Sequence, residues 1–231
     1  MKIAGLIPSS LIDYPEKIAA VVFTKGCNFR CPYCHNPELV NTLDNVDFLE
    51  EKDFFGFLNK RFGLLDGVVV TGGEPTLYYK ELPAFLRQIK EMGFLVKLDT
   101  NGSHPEVIRF LYSEHLVDFI AMDIKASPEG YLKTAGYPGS LEPIMESISL
   151  IAQGPILYEF RTTVVPGLTS NKEMEGLCRM IRGAQTYVIQ NFRGTRTLSP
   201  TFSSCRSFSL QELKEFQDIA REYVKNVTLR P

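Results

Sequence analysis

Hydrophobic and polar positions alternate in two rhythms along this chain. Short apolar, β-branched runs occur over 18–24 (IAAVVFT), 67–71, 94–98, 117–124 (VDFIAMDI), 156–165 and 186–192. Runs of this length, bounded by turn residues, read as strands buried on both faces. Between them, apolar residues recur at helical spacing over 46–62, 82–92, 105–114, 141–152, 171–181 and 210–224. Gly63 is expected to cap the first of these helices at its C-terminus, and Ser103 or His104 to lie at the start of the third. A short strand is expected over 1–7, followed by turn signals at Pro8-Ser9-Ser10 and Asp13-Tyr14-Pro15-Glu16. The segments 126–140 and 193–208 read as loops. Strand and helix repeated about six times imply a parallel sheet with right-handed crossovers. A barrel and a doubly wound open sheet both fit, and both place ligands beyond the carboxyl ends of the strands.

The unusual residues stand at those ends. The first buried strand runs into Lys25-Gly26-Cys27-Asn28-Phe29-Arg30-Cys31-Pro32-Tyr33-Cys34-His35-Asn36, with three of the five cysteines spaced C-x3-C-x2-C. Thiolates select soft metals: iron–sulfur clusters, zinc or Cu(I). Four cysteines would close a four-iron cluster; three leave one iron open. After the second strand comes Gly72-Gly73-Glu74-Pro75, after the third Asp99-Thr100-Asn101-Gly102, after the fourth Asp123-Ile124-Lys125, and after the fifth Val165-Pro166-Gly167.

Composition narrows the setting. The chain has 231 residues, 44% hydrophobic and 23% charged, enough for one large core and consistent with a single domain over 1–231. A net charge of −2 and a pI near 6.0 give no global field for nucleic acid. No apolar run is long enough to span a bilayer, and the first residues lack a signal-like apolar stretch, so no membrane partner is expected. An odd, clustered set of cysteines points to metal or catalysis in a reducing compartment, hence to the cytoplasm.

The cysteine spacing, with aromatic Tyr33 before the last cysteine, resembles the signature of radical S-adenosylmethionine (radical SAM) enzymes. GGEP, DTNG, DIK and VVPG follow in the order seen in activating enzymes for glycyl-radical proteins. SSLIDYP and CPYCHNPELV resemble the branch that activates anaerobic ribonucleoside-triphosphate reductase. The resemblance implies an α/β fold of the radical SAM type, a partial (β/α)6 barrel. It implies one 4Fe–4S cluster on Cys27, Cys31 and Cys34, with S-adenosylmethionine (SAM) chelating the open iron and cleaved to a 5′-deoxyadenosyl radical. SAM would be held by Tyr33, Asn36, Gly72, Gly73, Glu74, Asp99, Asn101 and Lys125, with Val164 and Val165 lining the adenine pocket. No catalytic side chain beyond the cofactors is implied. The partners implied are a large glycyl-radical enzyme and a flavodoxin or ferredoxin reductant. Pyruvate formate-lyase activators carry a SAM-contacting histidine after the sixth strand; here 188–193 has none, and Gln190 or Arg193 is its candidate replacement. Between His35 and Thr71 there is no cysteine to hold a second cluster.

Plainer readings stand beside these. The cysteine trio with His35 could be structural zinc in a non-catalytic binding module, although such a site normally has four protein ligands. The target could instead be another glycyl-radical enzyme, such as a pyruvate formate-lyase-like protein. GGEP alone is a turn, Asp99 and Asn101 alone are helix caps, and Lys125 alone is a surface lysine. Cys178 reads as core, Cys205 as an exposed thiol, and His104 and His115 as surface residues. Arg193, Arg196 and Arg206 read as a solvated loop or a partner-facing edge.

Overall fold

A computed structural model describes residues 1–40 and 47–231. The chain order is β1 (Ile3–Ser10), β2 (Ala19–Thr24), α1 (Pro37–Val40), α2 (Glu51–Asn59), β3 (Gly67–Gly72), a 3-10 turn (Pro75–Tyr78), α3 (Leu82–Glu91), β4 (Leu95–Thr100) and α4 (Pro105–Ser113). It continues with β5 (Phe119–Asp123), α5 (Tyr131–Ala135), α6 (Glu142–Ala152), β6 (Leu157–Val164), α7 (Asn171–Met180), β7 (Thr186–Asn191), α8 (Pro200–Ser203), α9 (Leu210–Arg221) and β8 (Asn226–Arg230). One sheet holds the strands in sequence order, β1 to β8. From β2 to β8 each strand pairs parallel with the next; β1 runs antiparallel to β2. The result is the expected α/β partial barrel, six strand–helix units from β2 onward, with edges at β1 and β8.

Period-two alternation gives the sheet two unlike faces. Ala20, Val22, Val68, Val70, Val96, Leu98, Ile120 and Phe160 point outward into one apolar cluster with helix residues such as Phe54, Leu58, Phe85, Leu86 and Ile108. Inward, Ala19, Val21, Val69, Phe119 and Ala121 form a small apolar plug with Tyr14. The inward positions of β4 and β6 are instead Lys97, Asp99, Glu159 and Arg161.

Several expectations change. β1 continues through Pro8 and Ser9 to Ser10; its pairing is irregular between Ile7 and Ser10, where a proline without an N–H is tolerated. The helix expected over 46–62 is shorter: Leu49 bridges to Ile3, so α2 starts at Glu51 and its C-cap is Lys60 rather than Gly63. Val46 lies outside the described residues. Two expected loops carry short helices, α5 and α8. Strand β8 had no counterpart in the sequence reading. Its polar–apolar residues NVTLR become a strand through register with β7, from Thr186 opposite Asn226 to Gln190 opposite Arg230.

Candidate active site at the mouth of the partial barrel

The cysteine loop is pinned from four sides by backbone hydrogen bonds. Gly26 N donates to Leu39 O on α1 (2.7 Å), Arg30 N to Ala135 O on α5 (2.8 Å), and Glu74 N to Gly26 O (2.7 Å). From the 193–208 segment, Leu198 N reaches Cys34 O (3.1 Å) and Ser199 N reaches Pro32 O (2.8 Å). The two segments read as loops are therefore clamps on the metal-binding candidate. Asn28, inside the loop, donates to Ser103 Oγ and accepts from Asn101 Nδ2, both at 2.8 Å.

Gly72 and Gly73 are required by the chain itself. Gly72 has φ +121°, and a Cβ there would lie 2.2 Å from Thr24 N; at Gly73 it would lie 1.9 Å from Gly26 O. The GGEP loop thus fits directly against the cysteine loop, backbone to backbone. Glu74 is buried and accepts from Thr76 N, Thr76 Oγ1, Thr100 Oγ1 (2.7 Å) and Asn101 N (2.7 Å). Burial pushes its carboxyl up, against the pull of these hydrogen bonds. The carboxylate ties the ends of β3 and β4 together.

All eleven site residues expected from the sequence line one cavity of about 290 Å³: the three cysteines with Tyr33, Asn36, Gly72, Gly73, Glu74, Asp99, Asn101 and Lys125. Asp123, Thr163 and Gln190 line it as well, and Arg193 is not among its lining residues. Val164 and Val165, expected at the adenine pocket, are fully buried and belong to the outer core; Thr163 faces the cavity in their place. Asn101 spends its side chain on the chain itself, donating to Asn28 and accepting from Ser103 N (3.0 Å). Asn101 does not cap α4; the N-cap is His104, without a side-chain cap bond. His104 is half-buried rather than on the surface, with Nδ1 2.9 Å from Thr76 Oγ1. His115 is exposed, as expected, and Cys178 is buried. Cys205 is half-buried, its thiol aimed at Pro166 O (3.8 Å). Arg193 donates to Pro231 O, Arg196 pairs with Glu38 and Arg206 with Glu212.

The floor of the cavity holds a charge network without a motif in the sequence. Arg161 Nη1 lies 3.0 Å from Asp99 Oδ2, and its Nε lies 3.0 Å from Asp123 Oδ1. Lys97 pairs with Asp99, Lys125 with Asp123 (2.9 Å), and Arg230 with Glu159 (3.0 Å). Burial alone would raise the Asp123 carboxyl; the Arg161 guanidinium and Lys125 ammonium outweigh it and hold the group well below the usual carboxylate range. Burial lowers Lys97, against the attraction of Asp99. The only signal for this network is ionisable residues at every second position of otherwise apolar strands.

The surroundings of the three thiols disfavour thiolates in the metal-free protein. Burial, then the charge of Glu74, pushes Cys27 up to about 12. Burial likewise raises Cys31 and Cys34, with Lys125 opposing it in both. Without metal these groups are neutral: the Cys31 thiol donates to Ala135 O (3.7 Å). A cationic cluster held by Cys27, Cys31 and Cys34 would supply the charge that favours their thiolates, with protons released on binding. Tyr33 Oη, buried beside them, has no hydrogen-bond partner among the described residues. His35, the fourth ligand a zinc site would need, is stacked on Phe192 with ring centroids 5.2 Å apart.

A sequence profile described as the Radical SAM superfamily matches residues 21–181. The chain belongs to the radical SAM superfamily. As a radical SAM enzyme it uses a 4Fe–4S cluster and SAM, and the three-thiol wall and Lys125 are suited to that pair. Over 99% of its length and 95% of the relative's, it is 34% identical to a Methanocaldococcus jannaschii protein provisionally named a glycyl-radical enzyme activating enzyme. A pyruvate formate-lyase-activating enzyme of Clostridium pasteurianum is 28% identical over 74% of this chain and 72% of its own. Among solved structures, Streptococcus suis SuiB bound to S-adenosylmethionine matches with a TM-score of 0.69, covering 91% of this chain and 50% of SuiB. At 14% identity the SuiB match speaks to the radical SAM fold alone. No helix among the described residues is long and apolar enough to cross a membrane.

Proposed function

We propose that this chain, acting as one domain over 1–231 in the cytoplasm, activates a glycyl-radical enzyme, and that its target is anaerobic ribonucleoside-triphosphate reductase. The observation that carries the activase reading is the nearly full-length similarity to a glycyl-radical enzyme activating enzyme. The narrower target rests on the SSLIDYP and CPYCHNPELV stretches and on the absence of a histidine from 188–193, where pyruvate formate-lyase activators carry one.

Cys27, Cys31 and Cys34 would hold the cluster through three of its irons. Tyr33, Asn36, Asp99 and Lys125 would hold SAM through side chains and Gly72 and Gly73 through backbone, whereas Glu74 and Asn101, expected beside them, spend their side chains on the chain itself. Lys125 offers an ammonium to the methionyl carboxylate, and the Tyr33 ring offers a face beside the last cysteine. Asn28, Asn101 and Glu74 keep the three surrounding loops in register. The apolar plug closes the inner end and limits water. When bound, the cluster and SAM supply the one-electron chemistry that removes a hydrogen atom from a backbone glycine, with the electron drawn from flavodoxin or ferredoxin.

The test is EPR of the partner after anaerobic incubation with the reconstituted protein, SAM and reduced flavodoxin. A glycyl-radical doublet in anaerobic ribonucleotide reductase is expected. A doublet only in a pyruvate formate-lyase-like protein reassigns the target. Vigorous SAM cleavage with no doublet in either overturns the activase reading.

A further inference from the structure

Asp123 and Arg161 are direct register partners across β5 and β6, and Asp99 stands one strand further on β4. The guanidinium reaches both carboxylates, Nε to Asp123 and Nη1 to Asp99, each at 3.0 Å. A planar fork can do this; a lysine ammonium on the same stem reaches one. Arg161 is only 9% exposed and is not among the residues lining the cavity, whereas Asp99, Asp123 and Lys125 do line it. The remaining oxygens are also engaged. Lys97 takes Asp99 Oδ1, and Lys125 takes Asp123 Oδ2 at 2.9 Å. Asp123 is therefore shared between a cation below the cavity and a cation in its wall.

That sharing has a consequence for ligand binding. A carboxylate already half-neutralised by Arg161 attracts Lys125 less strongly. Lys125 keeps one bond to Asp123 and has further N–H donors for an incoming anion. Without Arg161, both oxygens of Asp123 would compete for the same ammonium and draw it out of the cavity. Asp99 would lose one of its two cationic partners at the same time.

We infer that Arg161 is a positioning residue: by bridging Asp99 and Asp123 it leaves the Lys125 ammonium available to the carboxylate of the bound methionyl group. The inference rests on reading the cavity as the SAM site. Its test is the dissociation constant of SAM for the cluster-loaded protein, measured anaerobically by equilibrium dialysis and set beside kcat and KM for reductive SAM cleavage. Arg161→Met should weaken SAM binding by roughly 10- to 100-fold, the range of a hydrogen bond to a charged group. The loss should fall mainly on KM, with kcat changed less. Arg161→Lys, which keeps the charge and is the safer variant for folding, should weaken binding by about threefold to tenfold, since one of two contacts survives. The double variant Arg161→Met with Asp123→Asn should bind more tightly than Arg161→Met alone, because the competing carboxylate is gone.

Two results overturn the inference: folded Arg161→Met and Arg161→Lys proteins that bind SAM as wild type does, or a double variant whose loss is the product of the two single losses. Failure of wild-type protein to bind SAM would instead overturn the reading of the cavity.

Discussion

The two faces of the sheet are built from the same strands and do opposite work. On the outer face, alternate residues of every strand from β2 to β7 join one apolar cluster with the helices. On the inner face, apolar residues fill only the plug around Tyr14 and Phe119, while Lys97, Asp99, Glu159, Arg161 and Arg230 face one another. The outer face gains stability from area removed from water. The inner face spends desolvation energy on paired charges, which seldom stabilise a fold but fix directions. Stability resides on one face and ligand geometry on the other.

The sharpest break separates the cysteines that line the cavity, Cys27, Cys31 and Cys34, from Cys178, which does not. Cys27→Ala, Cys31→Ala and Cys34→Ala should each abolish cluster assembly, read as loss of the brown colour and iron content, and with it SAM cleavage. Cys178→Ala, in the outer core, should retain both, at a stability cost of about 1 kcal/mol in a denaturant titration. Retention of a full cluster in any of the first three would collapse the distinction.

Next in size is the outer core. Phe54 is fully buried, with ring centroids 5.4 Å from Phe55 and 5.3 Å from Phe85. Phe54→Ala should cost about 3–5 kcal/mol. Protein that remains folded should bind SAM normally. A comparable loss of SAM affinity in folded protein would show that the faces are not separable.

Glu74→Gln tests the inner side with a nearly isosteric change. The amide retains one acceptor oxygen but turns a donor toward groups that already donate, so a loss of about 1–3 kcal/mol is expected. Because Glu74 joins the ends of β3 and β4, amide exchange at Asn101 should accelerate more than exchange in α2. Uniform acceleration would mean that the residue supports the fold generally.

The last effect vanishes at neutral pH and appears only in alkali, in the metal-free protein. Burial pushes the Cys178 thiol from an ordinary value of 9.0 up to about 12. The folded chain therefore holds this proton where the unfolded chain releases it. The associated stability is complete below about pH 9 and declines as pH rises toward about 12. Cys178→Ala should lessen that alkaline decline without abolishing it, since burial also raises Cys27, Cys31, Cys34 and Tyr187; an unchanged slope would remove the thiol from the account.

Much of the site was legible because its residues sit at strand ends. Apolar runs gave the order of strands, and any parallel arrangement brings their carboxyl ends to one side, so Cys27, Gly72, Asp99 and Lys125 had to converge. Roles were less legible than positions. Gly73 is needed for backbone contact with Gly26, and Asn101 uses its side chain on Asn28 and Ser103. Neither spacing nor residue type reveals which partner a small or polar residue will meet. Arg161 and Glu159 look like ordinary charges in 156–165, and β8 looks like a polar tail. Both acquire meaning only beside a neighbouring strand.

By itself the sequence determined the alternating α/β order, the soft-metal trio and the side of the sheet on which it would lie, because these follow from local periodicity and side-chain chemistry. Only the tertiary structure decided that Arg161 bridges two carboxylates from different strands, that α5 and the 193–208 segment clamp the cysteine loop, and that Val164 belongs to the core while Thr163 faces the cavity. Those outcomes depend on inter-strand register. A shift of one residue exchanges the inner and outer faces, and contacts between distant segments form only after that choice has been made.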